Sequence, residues 1–204
     1  MWAPRPGEPI AAAGCFVCFP RGKTGPGSAG DPSWAGAALV RRRRVLASAV
    51  VSGQAGAAYQ PGLLALREGP ALEAAVRALD REPDVLLVDA TGRDHPRGAG
   101  LALHLGAVLD LPTVGVTHRL LVAEGAWPED RQGAMAPFKV AGEVAGYWVR
   151  TRGGTRPLAI HAAWRTDPAT AVDVVLACLY RRRTPEPIRR ARRLARTARA
   201  RARS

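Results

Sequence analysis

The chain of 204 residues carries a net charge of +13, is 47% hydrophobic with only 5% aromatic residues, and has three cysteines and no apolar run long enough to span a bilayer. That length buries a core in one domain, and the composition excludes a membrane-spanning helix, a collagen-like chain and a disulfide scaffold. Residues 181–204 hold eleven arginines against one acid, Glu186, leaving +3 on residues 1–180, so the expected division is a near-neutral domain over 1–182 and an Arg-rich segment over 183–204.

Lys23 and Lys139 are the only lysines among the 30 basic residues. The preference for arginine reads as a coding-composition effect, but its clustering does not. Like charges packed together repel unless an anion is present, and the guanidinium fork suits phosphate, so nucleic acid is the expected partner, with a merely solubilising tail as the alternative. The N-terminal MWAPRPGEP places prolines where a signal peptide needs an apolar segment, so a cytoplasmic protein is expected, and no membrane partner. Cys15 and Cys18 form a C-x-x-C inside the apolar stretch 14–19, with only Cys178 elsewhere, and read as buried strand thiols rather than a zinc or redox site.

Taken in order, residues 10–19 read as a strand, followed by a Gly/Pro/Ser loop and two short strands at 34–40 and 44–51, together an antiparallel meander. The four arginines 41–44 fall in the turn between the last two and read as solvated. Gly22-Lys23-Thr24 resembles the end of a P-loop, but Val17 stands where that motif needs glycine. Leu72, Ala75, Val76 and Leu79 recur at helical spacing behind Pro70, which predicts a helix over 70–81. The apolar run 85–88 ending at Asp89 predicts a strand buried on both faces. A helix at 98–109 and a strand at 113–117 complete a parallel pair with its crossover. Short strands are expected at 143–150 and 157–161, then a helix from 168 to about 182 capped by Asp167, and a helical tail over 188–202.

The expected fold class is therefore α/β: an antiparallel meander, then parallel strands, in one mixed sheet flanked by helices. Ligands of such sheets collect beyond the carboxyl ends of the parallel strands. Asp89 stands there, and Glu68, in a loop just before the predicted helix, can reach the same edge. Two such carboxylates can hold a divalent metal through oxygen ligands, although an acid after a buried strand is often only a helix cap.

The segment Tyr59-Gln60-Pro61-Gly62-Leu63-Leu64-Ala65-Leu66-Arg67-Glu68 resembles the Tyr-x-Pro-Gly…Arg-Glu segment of the endonuclease V family. The stretch from Pro83 through Asp89 to His95-Pro96-Arg97, Gly100, Ala102, His104 and Gly106 is similar to that family's strand, acid and His-Pro-Arg helix. Pro112-Thr113-Val114-Gly115-Val116 continues the likeness, and Tyr180-Arg181 with Pro185-Glu186-Pro187 is similar to its C-terminal segment. The likeness implies a ribonuclease H-like fold and a magnesium-dependent phosphodiesterase, manganese being an alternative, that nicks DNA 3′ to deoxyinosine in repair. By position, Glu68 and Asp89 match two catalytic, metal-binding acids. Tyr59, Pro61 and Gly62 match a wedge that fills the place of a displaced base, and His95 and Arg97 match a loop near phosphate. The implied partner is inosine-containing DNA, single- or double-stranded, or RNA, and the chain is expected to act as a monomer. Its start lies close to the first strand, so the leading helix expected of the family is absent or lies upstream.

The departures weigh as much as the matches. Phe16 occupies the place of the family's first metal-binding aspartate, and phenylalanine cannot ligate a metal. Ala163-Trp164 replaces a late Gly-His pair, His118 a lysine, Ala58 the first proline of the wedge, and Asp89-Ala90-Thr91-Gly92 an Asp-Gly-His-Gly turn in which Gly92 is the last residue. Asp94, His95 and Asp167 are the candidates to fill the gap, and His104 reads as a core histidine. Three readings follow: an active nuclease, a family member that binds nucleic acid but cuts poorly or not at all, and a small basic interaction protein whose tail does the binding. Impaired activity is the favoured expectation.

Overall fold

A computed structural model describes residues 1–22 and 25–202 of the chain. The P-loop-like Lys23-Thr24 lies outside the described residues. The strands β1 (Ala11–Cys18), β2 (Pro32–Arg41) and β3 (Arg44–Gln54) form the expected antiparallel meander. After helix α1 (Leu64–Arg77), β4 (Val85–Val88) lies parallel to β1, and after α2 (Leu101–Leu109), β5 (Thr113–Thr117) lies parallel to β4. Then β6 (Met135–Val140), β7 (Glu143–Val149) and β8 (Leu158–Ala162) pair antiparallel and join the sheet at β5, before α3 (Pro168–Ala177) and α4 (Glu186–Arg201). The resulting eight-stranded order is β3-β2-β1-β4-β5-β8-β7-β6. Among the described residues no helix is long and apolar enough to cross a membrane.

Alternation along β1 sorts the core. Ala13 and Cys15 pack with Leu72, Ala75 and Val76 of α1 and Leu101 and Leu105 of α2. On the opposite face Ala12, with Leu87 of β4, packs against Val174 and Val175 of α3 and Ile188 of α4. Both cysteines of the C-x-x-C are free and buried, as expected of strand thiols, and burial pushes the Cys15 thiol up to about 12.

Helix α1 begins six residues before the predicted start, with Pro70 in its interior. Proline removes the N–H that Leu66 O would accept, yet it is tolerated in the first turns, and Gly56 N donates to the neighbouring Arg67 carbonyl from outside the helix. Glu68 therefore sits on a helix, not in a loop. Strand β6 was not among the expected elements because Pro137 breaks its pattern. As the edge strand it can carry a residue without an N–H, and it buries only Phe138. The predicted third helix ends at Ala177 rather than about 182.

The Arg-rich segment is a packed element. Ile188, Ala191 and Ala195 of α4 are buried against β1 and β2. A Cβ at Gly14 would collide with the backbone of Pro187 and Ile188, and one at Gly36 would lie 2.7 Å from Ala191 O. Gly14→Ala is expected to force α4 off the sheet and to cost about 3 kcal/mol, the upper end for overpacking because the obstacle is backbone. Chemical denaturation of the variant measures this.

His161 of β8 is fully buried, 2.9 Å from Thr117 Oγ1 through Nε2 and against the Phe138 ring, while its Nδ1 has no partner among the described residues. Burial drives its pKa down to about 4 against the pull of Asp94. A depressed folded-state pKa contributes stability above the unfolded value of about 6.5 that is lost as pH falls toward 4. Thermal melts between pH 7 and pH 4 are expected to show that loss, on the order of 2–3 kcal/mol, and His161→Gln is expected to flatten the curve.

Candidate nucleic-acid interface

At the carboxyl ends of β1 and β4 lies a cleft of about 310 Å³ whose walls include Phe16, Leu64, Glu68, Asp89 and Leu101. Asp89 is the residue after β4. Phe16 stands one step beyond the Cys15–Val88 pair, on the strand next to it. Glu68 reaches the cleft from the second turn of α1. Burial raises its pKa to about 7, opposed by Arg67 and reinforced by the Asp89 charge, so the carboxyl is partly protonated at neutral pH.

The cation at this cleft comes from α4. Arg192 Nη2 lies 2.7 Å from Asp89 Oδ2, and its guanidinium carbon stands 5.1 Å from the Phe16 ring centroid. Arg196 stacks on the same ring at 5.6 Å. A divalent ion needs several oxygen donors converging on it. Two carboxyls stand here, one of them already neutralised by a guanidinium, while an aromatic ring fills the place of a third. No group of three or more His, Cys, Asp or Glu among the described residues is placed to hold a metal. The donor set does not fit magnesium or manganese.

The residues expected to fill the gap are committed elsewhere. Asp94 is fully buried, and its oxygens accept from Leu121 N at 2.9 Å and from Val122 N and Ala123 N at 2.7 Å. Asp167 caps α3 by accepting from Thr170 N at 2.8 Å, which holds its carboxyl below the usual range. His104 is exposed on α2 beside Gly69 rather than in the core.

Five of the residues expected to touch nucleic acid are brought together. Tyr59 and Pro61 are exposed on the loop before α1, and Gly62 closes that loop with a φ of +75°. Arg97 Nη1 donates to Gly62 O at 2.9 Å, and Arg97 N donates to His95 Nδ1 at 3.1 Å, so the two loops are one surface. Arg67 pins it from below. Its buried guanidinium donates to Ala57 O and Ser28 O at 2.9 Å, pairs with Asp31 at 3.0 Å and stacks 4.3 Å from the Phe19 ring centroid. His118 is exposed beyond β5, with Arg183 Nη2 at 3.1 Å from its Nδ1. Desolvation and the Arg183 charge lower its pKa, while Asp89 raises it.

Two expected site residues lie apart. Gly92 is buried, and a Cβ there would collide with Ala162 O, so its lack of a side chain serves packing against β8 rather than contact with a base. Trp164 follows the end of β8, accepts from Thr113 N at 2.9 Å, and packs its Cβ beside Gly106. Thr113 is level with Leu86, at the foot of the parallel strands, whereas Asp89 follows Val88 at their head. The C-terminal residue that meets the acid is Arg192, which composition alone leaves in an undifferentiated basic tail. The signal was present in the spacing of Ile188, Ala191 and Ala195, which marks a buried stripe with Arg192 on its border.

A family model described as Endonuclease V matches residues 27–193. The endonuclease V of Roseiflexus sp. (strain RS-1) is 42% identical over 151 residues, 74% of this chain and 68% of that protein. The crystal structure of the endonuclease V from Streptomyces avermitilis superposes with a TM-score of 0.86 at 32% identity, covering 98% of this chain and 86% of that one. The fold is also that of the Ciona intestinalis endonuclease V, solved with a 24-mer DNA containing an inosine followed by a ribo-adenosine, at a TM-score of 0.79, 20% identity and coverage of 96% and 87%. The sheet order, the Tyr59 loop and the extent of these matches place the chain in the endonuclease V family, with its ribonuclease H-like fold.

Proposed function

We propose that this protein binds inosine-containing DNA strands through the Tyr59 and His95–Arg97 surface and that its nicking activity is severely impaired. The family is one of metal-dependent nucleases acting on inosine-containing DNA, and the Ciona relative was solved with such a strand. The observation that carries the impaired reading is the Arg192–Asp89 pair at 2.7 Å over Phe16. A guanidinium there supplies the positive charge a phosphate needs, but it is not a Lewis acid and does not make water a nucleophile at neutral pH. What the residues do is therefore binding. Tyr59 offers a ring for a base to stack on, Arg97 a charge for a phosphate, and the Arg67 pin holds both loops in place.

Fluorescence anisotropy with labelled oligonucleotides tests this. The strand with one deoxyinosine is expected to bind about tenfold tighter than its adenine counterpart, with the same affinity in EDTA as in magnesium. Equal affinity for the two strands would remove the inosine reading, and binding that needs magnesium would remove the built-in cation. Tyr59→Ala is expected to weaken binding of the inosine strand about tenfold, the scale of one lost base–aromatic stack.

A further inference from the structure

A second basic cleft lies at the opposite end of the sheet from Asp89. Its position follows from register: Arg41 of the β2–β3 turn is level with Ala11 at the start of β1, while the acid cleft lies past Cys15. The cleft holds about 410 Å³ between Arg43, Tyr180, Arg181, Arg182 and the first turn of α4. Its one carboxylate, Glu186, is buried and spent within α4, accepting from Arg190 Nε at 2.7 Å and from Arg189 Nη2 at 3.2 Å. Bonding through Nε leaves both Nη groups of Arg190 without a protein partner among the described residues. Arg181 and Arg182 have no carboxylate partner there either.

The cleft also has an aromatic floor. The Tyr180 ring is 37% exposed, with the guanidinium carbons of Arg43 and Arg181 at 5.0 and 5.5 Å from its centroid, and Arg43 Nη1 donates to its hydroxyl at 3.1 Å. Unpaired guanidinia beside a stacking platform match a single-stranded phosphodiester chain, which offers phosphates to the first and bases to the second. Helix α4 links the two ends of the molecule. It leaves this cleft at Glu186, passes Asp89 at Arg192, and reaches Phe19 O through Arg199 at 3.1 Å.

We infer that the Arg43–Tyr180–Arg182 cleft is a second binding site for the sugar-phosphate backbone of a nucleic-acid strand, remote from the acid cleft and indifferent to inosine. The inference rests on the nucleic-acid-binding reading above, and its test separates the two. The full chain and an Arg43→Ala/Arg181→Ala/Arg182→Ala variant are titrated with a labelled 20-nucleotide single strand, with and without deoxyinosine, from low to moderate salt. None of the three side chains pairs with an acid among the described residues, and circular dichroism checks the fold.

The variant is expected to bind both strands about tenfold more weakly and to lose roughly two units from the slope of log affinity against log salt, one fewer released counterion per lost phosphate contact. Preference for the inosine strand is expected to persist. Unchanged affinity and slope in the variant, with normal binding by the wild type, would overturn the second site and leave the first standing. No binding of either strand by the wild type would overturn both.

Discussion

Joint replacement of Phe16 by aspartate and Arg192 by alanine is expected to give the acid cleft a divalent-metal site that the wild type lacks. Phe16 stands on β1 beside Asp89, so a carboxylate there would join Glu68 and Asp89 around one point. Removing Arg192 frees the Asp89 oxygen it holds at 2.7 Å. Three carboxylates without a cation repel one another, so the double variant is expected to be less stable than wild type in EDTA and to recover when manganese is added. Binding to the folded state alone at about 100 times Kd contributes roughly 2.7 kcal/mol, which for a chain of this size raises Tm by about 5–10 °C. Wild-type Tm is expected to be flat in manganese. Nicking of an inosine strand in the variant is expected to rise on the order of 100-fold, a few kcal/mol of transition-state stabilisation. Each single change does less: Phe16→Asp alone leaves the new carboxylate to pair with Arg192 and Arg196, and Arg192→Ala alone leaves only two acids.

Arg67→Ala is expected to be the most damaging single substitution outside the apolar core. The guanidinium is 5% exposed and joins three separate segments: Ser28 and Asp31 in the loop after β1, Ala57 in the Tyr59 loop, and the Phe19 ring at the end of β1. Its loss leaves Asp31, itself 6% exposed, without that partner's charge, and two carbonyls lose their donor. Breaking a buried pair by removing one member costs about 3–5 kcal/mol, a fall in Tm of roughly 10 °C. Arg67→Lys is expected to recover little, because one ammonium cannot reach acceptors spread around a planar fork. Thermal melts measure the stability loss, and proteolysis of the Tyr59 loop measures its release.

The central strands were legible because burial on both faces leaves an unbroken apolar run: residues 113–117 match β5 and residues 85–88 match β4. The Asp167 cap was legible because its side chain acts within its own turn. The start of α1 was not. Pro70 is a good first residue locally, and only contacts made by Arg67 with distant segments extend the helix back to Leu64. In the site, Glu68, Asp89 and Phe16 were legible from motif spacing, and the structure brings them to one cleft. Trp164 and Gly92 were not, because their place is decided by how β8 packs on the loop after β4. Arg192 was hidden by composition. One arginine among eleven in the C-terminal segment has no local mark, and its role appears only when α4 lies along β1.

The substitution of a guanidinium for a metal at Asp89 is tested most directly by single-turnover cleavage, with protein in excess over a labelled inosine strand in manganese and Asp89→Ala as control. A wild-type rate no greater than that of the control, with the strand fully bound, is the expected result. A nick 3′ to inosine that forms in the wild type and vanishes in Asp89→Ala would contradict it, and would mean that Arg192 gives way to a metal when the strand is bound.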